Sequence, residues 1–326
     1  MDSARWRKPP GSHRLVENIV MVSELDSSLA SLTGARQTMS SWARVIEAFE
    51  EIPEIYRASY RRVIGDARPL PYTVHAPPLA GTRHRNFDKI LCEAHDTIYV
   101  WEQNGRQVTM TAHPLDAITD LEVGCILLYS WFTISGLTQD GSAASTTVEF
   151  NTASGRHVAP FLNRMRPAPC PIEEGERRAE WAKFDPLAAE SFKFANYARD
   201  SLVDGETVRH SIWQPQICRP ALTFCGRILR RSTLSLAHLT VLTDRELIFI
   251  QDDRRGSERR GIRHGGKWDY IPLEHLGEVA LRSRPDDLLI LTLTLVPGGR
   301  QLELLFDASR WDAIVELQDG LKRLKT

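Results

Sequence analysis

Arginines gather in two runs of this sequence closely enough to act together on an anion. Arg219, Arg227, Arg230 and Arg231 lie between Gln216 and Ser232 with no acidic residue among them, a local balance of +4. A second run, QDDRRGSERRGIRHGGK, sets Arg254, Arg255, Arg259, Arg260, Arg263 and Lys267 against Asp252, Asp253 and Glu258, a balance of +3. A guanidinium is a planar fork that donates two parallel hydrogen bonds, so such clusters suit phosphate and other oxyanions. The competing reading is a solvated loop, and Gly256, Gly261, Gly265 and Gly266 would keep the second run supple. Both runs are hidden in a chain whose 41 Lys and Arg against 42 Asp and Glu leave a net charge of -1, so no global field points to nucleic acid.

Other chemistries find less support. No G-x-S-x-G, P-loop, G-x-G-x-x-G or H-E-x-x-H run is present. Asp252-Asp253 and Asp286-Asp287 are adjacent pairs, and neighbours in extended backbone face opposite ways, so they read as turn punctuation. Cys218 and Cys225, or His210 and His238, lack metal-ligand spacing. Stacking of single-stranded nucleic acid needs exposed aromatics, and Trp268 and Tyr270 fall in a strand where they would pack. The sequence therefore argues for a protein that is not an enzyme, with no cofactor, no metal and no nucleic-acid partner.

Where the arginines sit depends on the helices and strands around them. Residues 14–64 read as helix from the spacing of Leu15, Val16, Ile19 and Val22 and of Trp42, Val45, Ile46 and Phe49, with Pro53 splitting the second stretch. From about Pro71 the period changes to two: Val108, Met110 and Ala112 alternate with polar residues, as do Val148 and Phe150, and Asn104-Gly105 reads as a hairpin turn. A short helix carries Val158, Phe161, Leu162 and Met165, disturbed by Pro160. Residues 167–191 hold four prolines and six acids against three bases, which predicts an exposed connector with one helical stretch. Strands are expected at 207–214, 234–243, 246–251, 278–283, 287–296 and 301–306. A closing helix from Ser309 would bury Trp311, Ile314, Leu317 and Leu321.

The second half repeats the first. Pro114-Leu115-Asp116-Ala117-Ile118-Thr119-Asp120 aligns without a gap to Pro272-Leu273-Glu274-His275-Leu276-Gly277-Glu278, and Asp96-Thr97-Ile98-Tyr99-Val100 aligns to Asp244–Phe249 with one insertion.

The run Leu242-Thr243-Asp244-Arg245-Glu246-Leu247-Ile248-Phe249-Ile250, followed by Tyr270-Ile271-Pro272-Leu273 and Leu276-Gly277-Glu278-Val279, resembles the bacterial pleckstrin-homology-like (PH-like) domains. Residues 71–166 look like a diverged copy. The resemblance implies a mainly β, α+β protein of two tandem PH-like, partly open barrels, each closed by a C-terminal helix. The implied divisions are an N-terminal helical segment over 1–70, a PH-like unit over 71–166, an acidic, proline-containing linker with a short helix over 167–206, and a second PH-like unit over 207–326. One continuous sheet through both halves would contradict two separate barrels.

In this fold both arginine runs leave the same end of the second barrel, which makes Arg227, Arg230, Arg231, Arg254, Arg255, Arg259, Arg260, Arg263 and Lys267 the candidate anion-binding residues. The expected function is non-enzymatic binding or scaffolding through contacts with a protein partner. The alternative is peripheral binding of anionic lipid or a phosphorylated ligand at those loops. Five scattered cysteines and no apolar run long enough to span a bilayer predict a cytoplasmic protein, peripheral to a membrane if it meets one.

Overall fold

The structure, a computed structural model, describes residues 42–79, 87–224, 227–256, 258–259 and 262–325. The first half runs β1 (Arg44–Ile46), α1 (Glu54–Ile64), β2 (Thr73–Ala76), β3 (Asp88–Ala94), β4 (Thr97–Asn104), β5 (Gln107–Pro114), β6 (Ile118–Ile126), β7 (Tyr129–Leu137), β8 (Ala143–Asn151) and α2 (Gly155–Arg164). The helix expected through Trp42, Val45, Ile46 and Phe49 is instead strand β1 followed by a 3-10 turn. Pairing with the edge of β2, Val45 opposite Val74, supplies backbone bonds that outweigh local spacing. Pro53 ends up just before α1, where its missing N–H costs nothing. The helical stretch expected around Leu15 to Val22 lies outside the described residues. Pro160 sits inside α2, which nonetheless runs ten residues because Val158, Phe161 and Leu162 are buried.

The connector is structured more fully than expected. It forms α3 (Glu174–Ala182) and α4 (Asp185–Glu190) before α5 (Phe192–Ser201). Phe184 is buried between α3 and α4, and the Arg177 guanidinium binds Asp204 through two bonds of 2.9 and 2.7 Å. The second half then runs β9 (Val208–Gln214), β10 (Ile217–Phe224), β11 (Arg227–Ser235), β12 (His238–Thr243), β13 (Glu246–Gln251), β14 (Glu258–Arg259), β15 (Ile262–Arg263), β16 (Gly266–Pro272), β17 (Leu276–Arg284), β18 (Leu288–Leu295), β19 (Gln301–Asp307) and α6 (Trp311–Leu324).

If β1 and α1 of the first half and the two inserted hairpins β10–β11 and β14–β15 of the second are set aside, each half is four strands, three strands and a helix. The junction of the two strand groups is built alike in both. Pro114 (φ -58°, ψ 135°) and Pro272 (φ -57°, ψ 137°) each open a 3-10 turn. The Leu115 N–H donates to the Asp96 carbonyl at 2.9 Å and the Leu273 N–H to the Arg245 carbonyl at 3.0 Å.

The expectation of two separate barrels does not hold, because one sheet runs through both halves. Its order is β8-β7-β6-β16-β13-β12-β9, beside a five-stranded sheet β1-β2-β3-β4-β5 and a three-stranded sheet β17-β18-β19. The joint is the antiparallel pair β6–β16, with Trp268 opposite Val123 and Tyr270 opposite Leu121. Both strands alternate faces, so each can serve its own half while its free edge pairs across.

Alternation also explains the layers. Ile90, Cys92, Tyr99 and Trp101 face α1, while Leu91, Ile98 and Val100 face the core of the first half. In the second half Leu239, Val241, Ile248 and Ile250 face the layer of α5, while Leu242, Leu247 and Phe249 face α6. Ile314, Leu317 and Leu321 of α6 are buried as expected, but Trp311 is 47% exposed and does not plug the core. It opens the helix at the rim, one turn before the buried stripe begins.

Candidate functional site

The row Gln214, His238, Gln251, Lys267 and Gly124 crosses five neighbouring strands, β9, β12, β13, β16 and β6. At this end the chain leaves β9 for the β10–β11 hairpin and leaves β13 for the β14–β15 hairpin, so both arginine runs depart from the same end of the strands. The neighbouring strand β6 ends there too, in the Leu127-Leu128 turn that leads to β7. The backbones meet closely: a Cβ on Gly265 would lie 2.3 Å from the Cys125 carbonyl oxygen and 2.9 Å from the Ile126 side chain.

The base of the second run is pinned. Lys193, on α5, places its ammonium 2.5 Å from Asp252 and donates to the carbonyls of Arg263 and Gly265 at 2.6 and 2.8 Å. Burial lowers the Lys193 pKa despite the facing Asp252 carboxylate. Arg255 binds Asp253 through two bonds of 2.9 Å and stacks 3.7 Å over the Trp131 ring. Burial alone would raise the Asp253 pKa, but hydrogen bonds from Arg255 hold it below the usual carboxylate range. Such a stacked, bidentate arginine keeps its charge but has little freedom to reach a ligand.

Lys267 is turned inward. Its ammonium lies 3.0 Å from Glu122 and 3.2 Å from Asp269, bridging β16 to β6. Burial opposes its charge, yet the two carboxylates raise its pKa. Asp269 itself is pushed up to about 6 by burial, against the pull of Lys267. Arg219 binds the Asp286 carboxylate at 2.5 Å, tying β10 to the turn between β17 and β18.

Of the candidate anion ligands, then, Arg255 and Lys267 hold internal acids, Arg263 donates to the Gly256 carbonyl at 3.2 Å, and Arg254 is exposed. The backbone sets Arg227, Arg230 and Arg231 on β11, opposite Phe224, Leu222 and Pro220, and Arg259 on β14. Their side chains, and the whole of Arg260, lie outside the described parts.

The sequence did not point to the apolar residues at this end. Leu127 and Leu128 are 50% and 48% exposed, and Phe192, next to Lys193, is 68% exposed. Leu127 has φ 55°, a left-handed conformation that costs a leucine roughly 1–2 kcal/mol. The turn is held by the Thr152 hydroxyl, which donates to the Leu127 carbonyl at 2.7 Å, and by the Thr152 N–H on the Leu128 carbonyl at 3.0 Å. A leucine doublet at the tip of a tight hairpin was the available signal, and only the β6–β16 pairing brings it beside the arginines.

Among the described residues no group of three or more His, Cys, Asp or Glu could hold a metal ion, and no helix is long and apolar enough to cross a membrane. No family model matches the chain, and no curated protein matches it.

Proposed function

We propose that this protein is a non-enzymatic binding protein whose two halves are PH-like units fused through a shared sheet, and that it docks peripherally on anionic lipid surfaces. The repeated order of four strands, three strands and a helix supports the PH-like reading. The observation that carries the lipid reading is the approach of the Gly265 backbone to Cys125 and Ile126, which sets the exposed Leu127-Leu128 turn beside the arginine hairpin. Basic residues near an anionic membrane contribute about 1 kcal/mol each, and a leucine moved fully out of water about 1.5–3 kcal/mol. Charge alone gives weak, salt-sensitive association, and a pair of inserted leucines would make it firmer. A free phosphorylated ligand shares the arginine chemistry but makes no use of the leucines.

The test is co-sedimentation of the full chain with vesicles of phosphatidylserine and phosphatidylcholine. The protein should pellet with them at low ionic strength, stay in solution with pure phosphatidylcholine, and lose binding in Arg259→Glu/Arg260→Glu/Arg263→Glu. A wild-type protein that stays in the supernatant with anionic vesicles at low salt contradicts the reading.

A further inference from the structure

A second surface lies on the first half, away from the arginines. Strand β8 is an edge of the seven-stranded sheet, nine residues long, without proline or lysine and with one charged residue, Glu149. Long edges of this kind are normally blunted by charge, proline or a bulge, because their free backbone groups template another strand.

The direction of those groups follows from the ladder. The Thr138 N–H donates to the Ser142 carbonyl at 2.9 Å at one end, and the Thr152 N–H to the Leu128 carbonyl at 3.0 Å at the other. Hydrogen-bonded and non-bonded pairs alternate in an antiparallel pair. The register is continuous from Leu137 opposite Ala143 to Tyr129 opposite Asn151. Residues 144, 146, 148 and 150 therefore bond to β7, and Ala143, Ser145, Thr147 and Glu149 turn their N–H and C=O groups outward.

Outward from this edge lies a cleft of about 390 Å³. Its far wall is formed by the inner face of β3, β4 and β5, including Thr109 and Thr111, with Lys89 paired to Glu102 at 2.9 Å. The near wall carries Ser145, Thr147 and Glu149, and the Glu149 carboxylate accepts from the Tyr129 hydroxyl at 2.6 Å. Among the described lining residues two carboxylates stand against one ammonium, an excess of one negative charge.

We propose that this cleft takes an extended peptide segment of a partner protein, which adds to β8 as an eighth strand and directs a lysine, arginine or hydroxyl side chain toward Glu102 and Glu149. Matched N–H and C=O groups along Ser145 to Glu149 are what an extended main chain recognises, and the walls read alternate side chains. A second copy of this chain fits less well, because its own β8 is flanked by the same far wall, which would meet this one.

The probe is an acetylated nine-residue peptide alternating threonine or valine with lysine, compared with its counterpart carrying glutamate in place of lysine, titrated onto the full chain without lipid. The lysine peptide should bind about tenfold more tightly than the glutamate peptide. In amide hydrogen exchange on the wild-type chain it should slow Ser145, Thr147 and Glu149 while leaving the already protected Thr146 and Val148 unchanged. Thr147→Pro, which removes an outward N–H, should abolish binding, and Thr147→Val, which keeps it, should not. No binding of the lysine peptide, or protection that falls elsewhere, overturns the proposal. So does a concentration-dependent dimer that Thr147→Pro dissolves, since the edge would then belong to a second copy. Because no vesicle is present, failure here is separate from failure of the lipid reading.

Discussion

Arg166, just after the helix that closes the first half, forms a buried ion pair with Glu246 at the start of β13 in the second half, and its guanidinium lies 3.8 Å over the Tyr270 ring. Burial works against the charge on Arg166, but the Glu246 carboxylate more than offsets it and raises its pKa. The halves are thus joined by charge as well as by the β6–β16 ladder. Removing one partner of a buried pair leaves the other uncompensated, at about 3–5 kcal/mol. Arg166→Met should cost that much in denaturant unfolding, and both halves should still unfold in a single transition. Adding Glu246→Leu should recover part of the loss.

The same cluster makes stability depend on pH. Glu206 is buried near Glu246, and burial followed by the Glu246 charge raises its pKa to about 8. A carboxyl raised in the folded state binds more protons there than when unfolded, so its contribution is present below its ordinary value and is lost as pH rises through about 8. Asp269 acts in the same direction up to about 6. His113 and His238, lowered to about 4 by burial, act oppositely and favour the folded state as pH rises from about 4 to 6.5. These terms oppose one another below pH 6.5, and above it Glu206 is left, so stability should fall between about pH 6.5 and 8. Glu206→Gln should flatten that fall in urea titrations at a series of pH values.

Helix α6 gives a contrast within one element. Leu317 is fully buried among Leu242, Leu291 and Phe306, whereas Trp311 stands at the rim. Leu317→Ala should cost about 2–5 kcal/mol, and Trp311→Ala about 0.5 kcal/mol or less, as for an exposed position. Thermal unfolding of the two variants checks the order.

Much of the fold was legible because it is written in local periods. Leu289 to Leu295, Leu302 to Phe306 and the stripe Ile314, Leu317, Leu321 alternate or repeat at spacings that only a strand or a helix can satisfy. The Pro114 and Pro272 junctions were legible as a repeat because both turns demand the same residues. The pairing of β6 with β16 was not legible. Edge pairing is specified by backbone groups, which every residue carries alike, and nothing in Val123 or Trp268 marks a partner 145 positions away.

The same gap governed the site. The sequence displays the charge of Lys267 and Arg255 but not Glu122 and Trp131, which hold them and come from the other half. Strand β1 escaped for a related reason, since Val45 and Ile46 fit either period and only the free edge of β2 decides between them.

The end proposed to dock on lipid draws on both halves, because Leu127 and Leu128 belong to the first and the arginine hairpins to the second. The most direct measurement is the partition of Leu127→Ser/Leu128→Ser between solution and phosphatidylserine-containing vesicles at low salt, alongside wild type and with folding verified by circular dichroism. These residues carry no charge and are about half exposed, so the substitution leaves the arginines and the fold intact. The account predicts at least about tenfold weaker partition for the variant, with the residual binding abolished by salt. Equal partition of the variant and wild type would contradict it.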